Sequence, residues 1–216
     1  MINYIKNLFG NQTLEEKRTT NDINVIWIHG ANQTSLSFEY LRDKTQFPNE
    51  ILINYSSMNR FYDNLRNIIS QVKGKGPHFV IGHSLGGLYA LHLTQHIRVA
   101  GGVSISTPFA GSSTADWAKY IVPNYPLFRD IGLKAPPVQA GHNITLSIPW
   151  TQIISTTGGV PYHSGPNDGV CTLYSMKYRK DMEHIEVPHT HYEVVCSKTV
   201  ADIILDRYSA LTSPRL

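Results

Sequence analysis

Gly82-His83-Ser84-Leu85-Gly86 carries the clearest chemical signal in the chain. It has the form G-x-S-x-G, between an apolar strand-like run (His78–Ile81) and a helical pattern (Leu85–Ile97). In that setting the serine sits on a sharp strand-to-helix turn that lifts its Oγ clear of the sheet edge. The turn also places the Leu85 N–H at a helix N-terminus, where developing negative charge is favoured. A serine hydroxyl needs a base and an acid to become a nucleophile, and in this arrangement the order along the chain is Ser, acid, His. Asp168 is the only carboxylate in the loop T-G-G-V-P-Y-H-S-G-P-N-D-G-V and is the expected acid. The competing reading is an Asn-Asp-Gly turn that merely reverses the chain. Asp116, Asp130 and Asp181 lie in less suitable segments. Pro188-His189-Thr190-His191-Tyr192 follows the last expected strand. His191 is favoured as base because it lies nearer the next helix, with His189 as the alternative; His184, inside the strand, reads as packed or surface-exposed. After the first strand, Ile28-His29-Gly30-Ala31 places a flexible Gly30 before Ala31, whose N–H is the second expected oxyanion donor. His29 there reads as structural.

These residues need a scaffold. Asn24–Ile28, Ile51–Tyr55, His78–Ile81, Val99–Ser106, Gln152–Thr156 and Glu183–Val187 read as strands. Helical patterns follow Leu36, run over Asn59–Lys73 and Leu85–Ile97, and close the chain at Tyr192–Tyr208. In Asn59–Lys73, Phe61, Leu65, Ile68, Ile69 and Val72 share one face. Such alternation predicts an α/β fold, a mostly parallel central sheet with helices on both faces. Residues 1–20 read as an N-terminal extension and 21–216 as the domain. Ile2, Ile5, Leu8 and Phe9 suggest either a short docked helix or a weak membrane-surface contact. Residues 108–150 hold six of the twelve prolines and many aromatics. That stretch is too long for an ordinary loop and too apolar for disorder. It predicts a cap-like insertion at about 109–150 that lines or covers a substrate pocket, or else packs as a side layer. Trp117 and Phe109 are its candidate substrate contacts.

Composition narrows the field. The chain has 216 residues, 41% hydrophobic and 16% charged, which is globular. A net charge of +3 without a dense basic run argues against nucleic acid as a partner. No stretch approaches the roughly 18 apolar residues of a membrane span, and no secretory signal opens the chain, so a cytoplasmic location is expected. The ten histidines include no H-E-x-x-H, and the lone His189-Thr190-His191 does not make a metal site. Cys171 and Cys196 are either two thiols or one bridge.

The combined motifs resemble the α/β-hydrolases of the bacterial lipase type. I-H-G-A resembles that group's oxyanion segment and G-H-S-L-G-G its nucleophile turn. Thr107-Pro108-Phe109-Ala110-Gly111-Ser112 resembles its T-P-h-x-G-S stretch, and Asn167-Asp168-Gly169-Val170 its acid loop. The chain departs from the group in Phe109-Ala110 after Thr-Pro and in its two base-loop histidines. The resemblance implies an α/β-hydrolase fold and a serine hydrolase acting on carboxylic esters of lipophilic substrates. It implies no cofactor, a small-molecule ester or lipid substrate, and transient contact with a lipid interface. A thioesterase or phospholipase activity, or a non-catalytic binding protein on the same fold, are the alternatives.

Overall fold

The computed structural model describes residues 23–74, 76–112, 115, 126–159 and 165–213. The expected N-terminal extension and Trp117 lie outside them. Six strands form one sheet: β1 (Asn24–Ile28), β2 (Glu50–Ile53), β3 (His78–His83), β4 (Val99–Ile105), β5 (Trp150–Ser155) and β6 (Glu183–Val187). Their order is β2-β1-β3-β4-β5-β6, and all five pairings are parallel. The central strands β1, β3 and most of β4 are buried on both faces, as a doubly covered sheet requires.

Alternate residues of one strand enter different cores. Ile26 and Ile28 of β1 join Val80 against α2 (Phe61–Val72) and α3 (Leu85–Leu93). Val25 and Trp27 face the other way and pack with Phe79, Ile81 and Val103. That second core takes in Leu41 of α1 (Glu39–Thr45) and Val200, Ala201 and Ile204 of α7 (Lys198–Thr212). Helix α2 buries Phe61, Leu65, Ile68 and Val72, the face its sequence spacing specifies. Every residue of α3 is buried, because α3 is covered by the sheet on one side and by the insertion on the other.

The described part of the insertion contains α4 (Pro126–Asp130) and α5 (Pro136–His142). Leu127, Ala135, Val138, Ile144 and Leu146 join the first core, so much of this stretch is a packed side layer. Two ion pairs hold it. Asp130 accepts from the Arg60 guanidinium at 2.8 Å and from the Phe61 N–H at 2.8 Å, fastening α4 to the start of α2. Arg179, itself buried, pairs with Asp181 and donates to the Gly141 and Ile144 carbonyls at 2.7 and 2.6 Å. Asp130 and Asp181 are thus engaged in structural contacts. One further short helix, α6 (Leu173–Met176), precedes β6.

Strand β1 leads to α1 on one face of the sheet, while its neighbour β3 leads to α3 on the other. The loops after β1 and β3 therefore part at the C-terminal edge, where open α/β sheets form a crevice.

Candidate functional site

Ser84 lies just past β3 with φ 53° and ψ −121°, a positive-φ conformation outside the regions ordinary side chains adopt. Such a non-glycine residue costs on the order of 1–3 kcal/mol, and the surrounding packing has to impose it. The imposition is steric. A Cβ on Gly86 would lie 1.9 Å from the Ile28 carbonyl oxygen, and one on Gly82 would lie 2.5 Å from that of Gly86. Only residues without Cβ let β3, the turn and the start of α3 approach this closely. The Ser84 N–H is tied to the Ile105 carbonyl at 2.8 Å.

The loop after β1 abuts this turn. A Cβ on Gly30 would be 3.2 Å from the Ser84 Cβ and 2.8 Å from Gln33 Oε1. Close approach thus favours glycine at position 30 more than its backbone angle does, since the left-handed φ of this loop falls at Asn32, with φ 56°. The N–H groups of Ala31 and Leu85 find no acceptor among the described residues. Both residues line one cavity with Ser84 and His191. Two unsatisfied donors beside a serine oxygen can bind an oxyanion.

Asp168 and His191 meet there as well. Asp168 Oδ2 accepts from His191 Nδ1 at 2.7 Å and from Ser155 Oγ at 2.5 Å. Oδ1 accepts from the N–H groups of Val170 at 3.0 Å and Cys171 at 2.7 Å. The His191 N–H donates to the Asp168 carbonyl at 2.9 Å. Burial works to raise the Asp168 pKa, but the bonds from His191, Ser155 and Cys171 outweigh it and hold the carboxyl below its usual value. Ser155 also meets Ser106 Oγ at 2.6 Å. With Ser155 donating to the carboxylate, Ser106 donates to Ser155. His189 lies apart, with its carbonyl accepting from Thr157 N–H at 3.0 Å.

His83 is fully buried. Its Nε2 donates to the His191 carbonyl at 2.9 Å, and burial, then the nearby His191, depress its pKa to about 3. His29, structural on the sequence reading, is buried and stacked on Tyr55 with ring centroids 4.3 Å apart, and burial lowers its pKa.

The cavity measures about 310 Å³. Leu127, Phe128 and Ile131 of the insertion give the cavity an apolar lining, together with Leu85 and Val170. Tyr192, 60% exposed, stands at the rim. Phe109 is placed elsewhere, 1% exposed in the first core, outside the cavity lining. Its carbonyl accepts from His142 at 2.9 Å and its ring lies beneath the Arg179 guanidinium, so the residue after Pro108 turns inward. Pro108, Ser112 and Ala115 face the cavity in its stead. Ser155, Ser106, Gln33 and Tyr192 escaped the sequence reading as site residues, whereas Phe128 belongs to the insertion expected to line the pocket. The one local signal among them is a serine closing the strand before the acid loop.

Asp168, Cys171 and His191 present atoms within 4.8 Å of one another, a spacing a cation could use. The Asp168–His191 bond already occupies one nitrogen and one oxygen, and burial pushes the Cys171 thiol well up, away from the thiolate a metal takes. The arrangement suits proton transfer better than ligation. Cys171 and Cys196 are both free thiols.

Residues 25–152 match the sequence model of the alpha/beta hydrolase family. The chain belongs to that family. No curated protein matches this hydrolase in sequence. Solved structures similar to it share the fold at low identity. A lipase-esterase related protein from Clostridium acetobutylicum is 16% identical with a TM-score of 0.57, over 85% of this chain and 93% of the other. Phospholipase PlaB from Legionella pneumophila is 13% identical with a TM-score of 0.67, over 88% of this chain and 61% of the other. A pyrethroid hydrolase from Sphingobium faniae is 12% identical with a TM-score of 0.56, over 87% and 98%. Among the described residues no helix is long and apolar enough to cross a membrane.

Proposed function

We propose that this hydrolase cleaves carboxylic esters of lipophilic substrates through Ser84, His191 and Asp168. The observation that carries the reading is the 2.7 Å bond from His191 Nδ1 to a buried Asp168, in the cavity that also holds the strained Ser84. That bond puts the hydrogen on Nδ1 and leaves Nε2 free to accept. Ser84 Oγ attacks the ester carbonyl as His191 Nε2 takes its proton. The oxyanion is bound by the Ala31 and Leu85 N–H groups, each worth about 3–4 kcal/mol of barrier. Collapse expels the alcohol, which takes the proton from His191, and leaves an acyl-serine. Water then attacks by the same route and releases the acid. Asp168 orients the imidazole and stabilises its cation. No cofactor enters these steps. The lining of Leu127, Phe128 and Ile131 favours an apolar acyl or alcohol group, and exposed Tyr192 at the rim suits brief contact with a lipid interface.

Fluorophosphonate labelling of the protein beside its Ser84→Ala variant tests the reading. Labelling of the unaltered protein alone is expected, with turnover of p-nitrophenyl esters that depends on chain length. An unlabelled, well-folded protein would favour a binding role on the same fold.

A further inference from the structure

The two peptides around Gly30 carry four polar groups, and three are taken. The His29 carbonyl accepts from Tyr55 Oη at 2.9 Å. The Gly30 N–H donates to Gln33 Oε1 at 3.1 Å. The Gly30 carbonyl meets His29 Nδ1 at 2.7 Å. Only the Ala31 N–H, in the same peptide plane as that carbonyl, has no acceptor among the described residues.

We propose that His29 is a positioning residue for the oxyanion site, aiming the Ala31 N–H by holding the Gly30 carbonyl. The inference rests on the hydrolase reading above. In a trans peptide the C=O and N–H point in opposite directions. Fixing the Gly30 oxygen on the His29 side therefore fixes the Ala31 hydrogen toward the other side, where Gly30, Ala31 and Ser84 line the cavity.

The tautomer is set by partners that have no choice. A carbonyl only accepts, so Nδ1 carries the hydrogen. The Tyr55 N–H only donates, and it reaches Nε2 at 3.3 Å, so Nε2 is bare. The imidazole is also clamped in place by its stack on Tyr55, with ring planes 4° apart. The donor is thus oriented before substrate arrives, which is how an oxyanion site avoids reorganisation at the moment of reaction.

Three variants separate the contacts. His29→Asn puts an amide N–H near the place of Nδ1 and keeps the Gly30 bond. His29→Gln puts its amide near Nε2 and loses that bond. His29→Phe keeps the stack and loses both contacts. Turnover is measured per serine titrated by fluorophosphonate, together with inhibition by a trifluoromethyl ketone, whose hemiketal oxyanion occupies the same donors. The Gln and Phe variants are expected to lose about ten- to a hundred-fold in kcat with KM nearly unchanged, and their inhibition constants should rise in parallel. The Asn variant should stay within about threefold of the parent in both. A purely structural role would lower the fraction of titratable serine and leave the inhibition constant per site unmoved. Equal activity of the Asn and Gln variants per titrated serine overturns the proposal even if the Phe variant does not fold. Failure of the unaltered protein to label removes the hydrolase reading itself, and the proposal with it.

Discussion

Replacing Asp168 by Asn separates a chemical role from a turn-forming one. The Val170 and Cys171 N–H groups can only donate, so they hold the new amide oxygen where Oδ1 sits. The amide nitrogen then occupies the place of Oδ2, facing His191 Nδ1 and Ser155 Oγ. Facing an NH2 group, His191 Nδ1 must accept, and its hydrogen moves to Nε2. An imidazole with Nε2 protonated cannot take the serine proton. The expected loss is about 10⁴ in kcat, roughly 5 kcal/mol of barrier at 1.36 kcal/mol per tenfold. Stability should fall far less. The same contacts persist but lose their charge, at a cost of about 1–2 kcal/mol, or a drop of several degrees in Tm. Hydrolysis of a p-nitrophenyl ester, normalised to titrated serine, reads the first effect, and calorimetry reads the second. If Asp168 only reverses the chain, kcat per titrated serine stays within tenfold of the parent. That result would refute the reasoning.

Gly86→Ala should destabilise by about 3 kcal/mol or more, because the new Cβ meets the Ile28 carbonyl oxygen and backbone cannot yield. Gly159→Ala, with open space around it, should stay within about 0.5 kcal/mol in the same urea titration. Asp130→Ala should cost about 2–3 kcal/mol, since it leaves the buried Phe61 N–H without its acceptor. Arg60→Ala should cost only about 1 kcal/mol, because the Arg60 side chain is 54% exposed. Equal costs for the two would contradict this account. The depressed pKa of Asp168 carries a sign for pH. A carboxyl with a lower pKa folded than unfolded adds stability above its unfolded pKa of about 4, and loses it as pH falls through the folded value. Tm should therefore fall more steeply with acid in the parent than in Asp168→Asn, and parallel curves would count against the assignment.

The sequence alone carried what depends on near neighbours. Strands Asn24–Ile28 and Glu183–Val187 are bounded as their apolar patterns specify, because alternation and turn residues act over a few positions. The Ser84 turn was legible for the same reason, since Gly82 and Gly86 relieve a clash within five residues. Asp168 stood out as the single carboxylate of its loop, and chain order narrowed the candidate base to two histidines.

Tertiary structure decided the rest. His189 and His191 leave β6 within four residues of its end. Only the fold brings His191 Nδ1 onto a carboxylate 23 positions away, while the His189 carbonyl goes to Thr157. The Ser106–Ser155–Asp168 relay joins three strand and loop ends whose meeting depends on the register of β4 against β5. Phe109 turned from an expected substrate contact into core because Arg179, 70 positions on, covers its ring. Within the insertion, Ala135, Val138, Ile144 and Leu146 serve the side layer alone, whereas Leu127 and Ile131 both pack on the first core and line the cavity. Local patterning specifies elements, whereas these contacts depend on where distant elements come to rest, which packing of the two cores against the sheet determines.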